Sequence, residues 1–422
     1  MSENSNDFKK GTSNFRLVGK IKLTPNTFSI GKQSDSGFIS NKMYIGVDCG
    51  GGNIVYSQLF DGYKKNDDGA ITKKLFVHGS KADPNNPRRS IDDFDNKIEI
   101  LWADRHSPDW KETIASLGPS CFVNIGLLKD NKGNLSTYRF VSEYDAIEYC
   151  QKELTGMSEE NLNNLVVEVR GTIEYRYYEG RVTYQKTITS IKRRDDVEEK
   201  DYCAEFSQTV YADKDGIGKA DMERKIIPLT VKVPEYVNKY KDAEVKETVP
   251  LDVELQLDAT APIAKWLATN IAKSSGYARM TIIGNFIESG AAEEFDVNTL
   301  DPDTKGMLDA GVITLEDIKM TVAIGQQRTQ IMSINRIRVI RGEDGKPPVG
   351  DFTASVYKAK EMEAFGENFF AVVKEMDNNQ SEDTETVDPT DDGADEPPFD
   401  TGVVDGVSNT DTDNMDWMKN FS

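Results

Sequence analysis

The chain is poor in histidine: His78 and His106 are the two in 422 residues, and they stand far apart. That scarcity argues against a Ser/His/Asp or Cys/His catalytic set and against a histidine-built metal centre. Four cysteines (Cys49, Cys121, Cys150 and Cys203) are scattered without CxxC spacing, so reduced thiols are expected rather than a zinc ribbon or a disulfide framework. No stretch approaches the ~18 uninterrupted apolar residues of a membrane span. The opening MSENSNDFKKGTSN has no apolar signal core, so secretion is not expected. Neither a cofactor nor a membrane partner is expected.

Acidic charge is present in excess, but unevenly. The net charge is -21, and residues 377–422 alone hold fourteen acids against Lys419. That stretch is Pro/Gly-punctuated and poor in apolar residues, and reads as a disordered tail. Three large rings interrupt it, Phe399, Trp417 and Phe421. Acidic tails commonly serve solubility alone; large apolar residues set in acid are expected to mark a docking peptide.

Against this acidity, residues 165–194 read LVVEVRGTIEYRYYEGRVTYQKTITSIKRR. Two strands joined at Glu179-Gly180 would place Tyr175 opposite Tyr184 and Tyr177 opposite Val182. Ile173, Tyr175, Tyr177, Val182, Tyr184 and Ile188 then share one face, and Arg176, Tyr178, Arg181, Thr183 and Gln185 the other. From Arg181 to Arg194 there are five basic residues (with Lys186, Lys192 and Arg193) and no acid. A second basic run, Arg328, Arg336, Arg338 and Arg341, lies in an acid-free stretch from Ile324 to Arg341. Cations suit phosphates, and rings such as Tyr175, Tyr177 and Tyr178 suit stacked bases. An ordinary barrel hairpin with a solvated basic edge accounts for the same residues, and some of the tyrosines are required for a core.

The rest of the chain is mainly β with a few helices. Residues 1–14 read as a mobile arm, Phe15–Leu23 as a strand, 24–42 as a loop, and Met43–Phe60 as two strands around Cys49-Gly-Gly-Gly-Asn53. Residues 61–72 and 79–97 read as polar loops, Pro108–Leu117 as a helix, and Ser142–Leu154 as a helix capped by Ser142. In the second half, strands are expected at Tyr202–Tyr211, Lys225–Val233, Val249–Leu257, Tyr277–Ile287 and Lys319–Arg341. Helices are expected at Ala261–Lys273 and Lys358–Met376, and an insertion at Glu288–Asp317. In each half a helix runs into a strand ending in glycine (Val166–Gly171, Met280–Gly284) and then into a basic strand (Thr189–Arg194, Met332–Arg338). Three strands, a helix and two strands is the order of an OB-fold, a five-stranded barrel that binds oligonucleotides across one face. Tandem OB-like barrels over 15–195 and 196–376 are therefore expected, with an arm before them and the tail after.

An OB-like body ending in Asp395-Glu-Pro-Pro-Phe399 and Asp416-Trp-Met-Lys-Asn-Phe421 resembles the phage and bacterial single-stranded DNA-binding proteins. The Pro-Pro-Phe motif is internal here, and Ser422 follows the last phenylalanine. The resemblance implies a non-enzymatic protein of phage DNA replication or recombination in the host cytoplasm. It would bind single-stranded DNA with little sequence preference and recruit replication or recombination enzymes through the tail. Two alternatives stand beside it. One is a virion structural or adaptor β-protein. The other is an actin-like or sugar-kinase-type ATPase, because Tyr44-Ile-Gly-Val-Asp-Cys-Gly-Gly-Gly-Asn53 resembles the first phosphate motif of those enzymes, with Asp48 and Gly50–Gly52 in its roles.

Overall fold

The computed structural model describes residues 8, 10–66, 68–83, 86–107, 110, 123–178, 180–241, 243–289, 305, 308, 329–341 and 347–380. Strand β1 (Ser13–Lys22) buries Phe15, Leu17 and Ile21 and turns Arg16, Lys20 and Lys22 outward, as its alternation requires. The chain continues through β2 (Phe28–Gln33), β3 (Phe38–Asp48), β4 (Ile54–Lys64), β5 (Lys74–Asp83), β6 (Asn86–Leu101), β7 (Val123–Gly126), β8 (Tyr138–Phe140), α1 (Glu143–Thr155), α2 (Glu159–Asn163), β9 (Val166–Tyr178) and β10 (Arg181–Arg193). The second half supplies β11 (Cys203–Ala212), β12 (Ile226–Tyr240), β13 (Ala243–Asp258), α3 (Pro262–Ala272), β14 (Tyr277–Ser289), β15 (Thr329–Ile337), β16 (Val339–Ile340), β17 (Val349–Gly350), β18 (Phe352–Tyr357), α4 (Ala359–Ala364) and α5 (Glu367–Gln380). Among the described residues no helix is long and apolar enough to cross a membrane.

Two five-stranded rings close. In the first, β1 pairs β3, β3 pairs β4, β4 runs parallel to β10, and β9 pairs both β10 and β1. The second repeats the order with β11, β12, β13, β15 and β14, again with one parallel contact, between β13 and β15. In each ring a helix, α1 or α3, lies between the third and fourth strands. This is OB topology, twice, in a mainly β protein.

The first strands of the two barrels pair with each other. β1 and β11 are antiparallel, with Phe15 opposite Phe206. One sheet therefore runs β10-β9-β1-β11-β14-β15 through both barrels. The halves repeat at residue level across this seam. Gly171 lies opposite Phe15 and Gly284 opposite Phe206. A side chain at Gly171 would come within 1.9 Å of the Thr187 carbonyl oxygen, and one at Gly284 within 2.1 Å of that of Ser333. Each fifth strand then shifts register beside that glycine, between Ile188 and Ser190 and between Ile334 and Arg336. Those close approaches explain the glycine that ends each matched sequence block.

The two barrels share one core, which includes Tyr175, Phe206, Phe286 and Met332. Lys186 of β10 is ion-paired with Glu288 of β14, and both are buried. The Glu288 carboxylate also accepts from the Tyr56 amide at 3.2 Å, so the two hairpins clasp one another across the interface.

Several local expectations change. Residues 24–42 are not one loop: they contain β2 and the start of β3, exposed edge structure whose polar residues hide the alternation. The stretch 79–97 is not a loop but belongs to the β5–β6 ribbon, which pairs with no other strand among the described residues; the ribbon's buried residues, Leu75, Val77 and Ile100, lie at its base, on either side of that stretch. Helix α1 starts where expected, but Ser142 does not cap it. Its hydroxyl donates to Asp61, and the Asp61 carboxylate accepts the Tyr144 amide in its place. In the arm, Phe8 is buried and stacks on Phe365 at 4.5 Å. Lys10 is paired with Glu235. All but Trp110 of the expected helix at 108–117, and most of the 288–317 insertion, lie outside the described residues, while the last helix runs on to Gln380.

Candidate nucleic-acid interface

The solvent side of the six-stranded sheet carries cations from both barrels. Alternation turns Arg170 of β9, Arg16 of β1 and Lys192 of β10 outward in the first barrel, and Arg336 of β15 outward in the second. Glu168 binds three of the guanidiniums on this side: Arg16 Nε at 2.9 Å, Arg170 Nε at 2.7 Å and Arg194 Nη1 at 2.7 Å. Burial by itself would raise the Glu168 pKa, but hydrogen bonds from Arg170 and Arg16 outweigh it and hold the carboxyl below its ordinary range. Glu205 of β11 bridges the barrels, 3.3 Å from Arg16 Nη1 and 3.6 Å from Arg336 Nη2.

A groove of about 400 Å³ lies over the seam, walled by Arg16, Arg170, Glu205 and Arg336. A hollow of about 600 Å³ beside it is walled by Arg170, Lys192, Arg193 and Arg194. Arg170 belongs to both walls, so the two hollows adjoin. Arg338 joins the same side through a 3.1 Å bond to the Thr12 hydroxyl. Thus Lys192–Arg194 and Arg336, far apart in sequence, line adjoining hollows on one sheet face.

The hairpin tyrosines are not on it. The pairing is as expected, Tyr175 with Tyr184 and Tyr177 with Val182. The face they share is core. Tyr175 is 4% exposed, and its hydroxyl lies 3.8 Å from Met332 Sδ, so it is not a stacking platform. Tyr177 packs edge-on against Phe369 at 5.4 Å and beside Tyr240 at 6.0 Å. Lys186 shares that inward face, 5% exposed, and is a structural cation rather than a phosphate contact. Burying one face of a barrel strand forces this, because the second barrel supplies the surface on which the first hairpin lies. Arg176 and Tyr178 lie on the Arg170 side of β9, about 20 and 26 Å further along at the usual rise, and Arg181 pairs with Tyr178 at the tip.

Arg193 and Arg194 are also held by the acids that follow them in the chain. Arg193 Nε lies 2.8 Å from Asp195, and Arg194 binds Asp196 as well as Glu168. Arg341 is exposed beyond β16. Arg328, Phe399, Trp417 and Phe421 lie outside the described residues.

A set of rings was missed. On β3 and β4, the second and third strands of the first barrel, odd-numbered residues fill the core and even-numbered ones face out. Tyr44 and Tyr56 stack there at 4.9 Å with their planes 8° apart, and Phe38 and Phe60 follow at 6.4 Å. Lys42 Nζ lies 5.8 Å from the Tyr44 ring. This is the barrel face that takes oligonucleotides in OB-folds. The signal is present in the sequence: tyrosines at even positions in the two strands on either side of a Gly-rich turn. The matching face of the second barrel carries Thr230, Glu254 and the Lys232–Asp252 pair, with Tyr236 exposed further along β12.

The turn itself is a β3–β4 hairpin bend. Gly50, Gly51 and Gly52 take φ of 91°, 61° and 77°, and Asp48 accepts the Gly50 amide at 3.2 Å. The strands on either side are antiparallel members of a barrel, not the βαβ sheet that the ATPase reading requires.

No protein-family model matches the chain, and no curated protein matches it. Among solved structures it is similar to a deletion variant of the single-stranded DNA binding protein from Thermus aquaticus, with 9% identity and a TM-score of 0.27 over 66% of this chain and 88% of that one. The wild-type protein of the same organism gives 8% identity and a TM-score of 0.27, over 67% of this chain and 87% of that one.

Proposed function

We propose that the chain binds single-stranded DNA through its backbone and bases, with little sequence preference and without catalysis. The observation that carries this reading is the pair of adjoining hollows, lined by cations from both barrels, on a sheet built from two OB rings. Phosphates would lie along Lys192, Arg170, Arg16, Arg336 and Arg338. Bases would stack on the outer rings of the first barrel, Tyr44 and Tyr56, beside Lys42. The flat, unspecific faces of those rings account for tolerance of sequence, since every base has a π-face to offer.

Replacing Tyr44 and Tyr56 with alanine is expected to weaken binding of an oligonucleotide by about 1–3 kcal/mol for each stacked base lost. Fluorescence anisotropy on a labelled oligothymidylate measures this directly. Unchanged affinity in the double variant would remove the rings from the interface.

The reading extends to the tail. Its acid and its rings Phe399, Trp417 and Phe421 would dock replication or recombination proteins of a phage in the host cytoplasm. Truncation after Gln380 should abolish capture of such partners while leaving oligonucleotide binding intact or tighter. Equal capture by the truncated chain would dismiss this role.

A further inference from the structure

The two carboxylates of the seam are not alike. Glu168 is 6% exposed and saturated by three arginines at 2.9 Å or less, which makes it part of the framework. Glu205 has a side chain about a third exposed, and its contacts to Arg16 and Arg336 are long, 3.3 and 3.6 Å. Arg336 is itself 62% exposed in its side chain. Glu205 therefore holds one guanidinium from each barrel, weakly, at the mouth of the seam groove.

We propose that Glu205 is a resident substitute for phosphate: it keeps Arg16 and Arg336 turned toward one point, and a backbone phosphodiester displaces it when a strand crosses from one barrel to the other. Arginine binds phosphate by paired N–H donors more strongly than it holds a carboxylate in this stretched geometry. The exchange is a competition between two anions for the same pair of cations. Glu205 thereby lowers affinity for every strand and favours ligands that bring a phosphate to the seam. The proposal rests on the single-strand reading above.

The test is a double-mutant cycle in the full chain, read by anisotropy on a labelled oligothymidylate of about 30 nucleotides, long enough to span two OB barrels. Glu205→Gln is expected to tighten binding by about two- to fivefold, the range of an exposed ion pair. In an Arg16→Gln, Arg336→Gln background the same change should have little effect. Glu254→Gln, on the outer face of the second barrel, controls for the general loss of negative charge. Equal gains from Glu205→Gln in both backgrounds, or a gain no larger than that from Glu254→Gln, would overturn the proposal while leaving DNA binding standing. Absence of oligonucleotide binding in the parent and every variant would overturn the single-strand reading and this proposal with it.

Discussion

Lys186→Met is expected to cost about 3–5 kcal/mol of stability, the usual penalty for stranding one member of a buried ion pair. The lysine is 5% exposed and its partner Glu288 equally buried, in the contact between barrels. Its ammonium lies 4.8 Å from the Phe286 ring and 5.0 Å from that of Tyr184, and among the described residues Glu288 is the carboxylate paired with it. Removing the lysine leaves a carboxylate with the Tyr56 amide as its remaining described partner. Urea unfolding measures the loss. The folded fraction should bind oligonucleotide as the parent does, because this cation does not reach the channel. A variant of normal stability but poor DNA affinity would return Lys186 to the interface.

The second large effect concerns the channel itself. Lys192→Glu and Arg336→Glu sit in different barrels, on opposite flanks of one sheet face. Each is expected to weaken binding of single-stranded DNA about tenfold near 0.1 M salt, and each to make the salt dependence shallower by about 0.7 in log–log slope per lost contact. Both side chains are exposed, so melting temperatures should hardly move. Arg193→Glu should do less, since Asp195 already neutralises that guanidinium at 2.8 Å. An affinity loss from only one of the two barrels would mean that the strand is bound by one barrel alone.

Much of this was legible in the chain. The order of strands and helices in each half was enough to suggest OB topology, because alternation and a 3.6-residue stripe survive wherever an element has one wet and one dry face. The matched glycines Gly171 and Gly284 announced the repeat, and the close approach of backbone at each explains why they stand there. The pairing of Tyr175 with Tyr184 followed from the turn at Gly180.

What sequence could not supply was the identity of the surface that each face meets. The hairpin rings looked available because a lone barrel leaves part of its fourth–fifth strand hairpin in solvent. Here Phe286, Met332 and Phe369, from the other half of the chain, close over them. Conversely, Arg16 and Arg170 drew no notice as isolated cations in ordinary strands. They gain meaning through β1–β11 pairing, which no local pattern encodes. In the ribbon of β5 and β6 the apolar ends, Lys74–His78 and Ile98–Trp102, read as strands because Leu75, Val77 and Ile100 are buried there, whereas the polar stretch 79–97 between them reads as loop.

The most direct measurement is the titration of one labelled oligothymidylate into the intact protein over a range of salt concentrations, repeated with Lys192→Glu and with Arg336→Glu. Five cations along this path predict a one-to-one complex whose log affinity falls against log salt with a slope of about -3.5, and a shallower slope in each variant. Absent binding, a slope near zero, or a slope that responds to neither substitution would contradict a shared cationic channel across the two barrels.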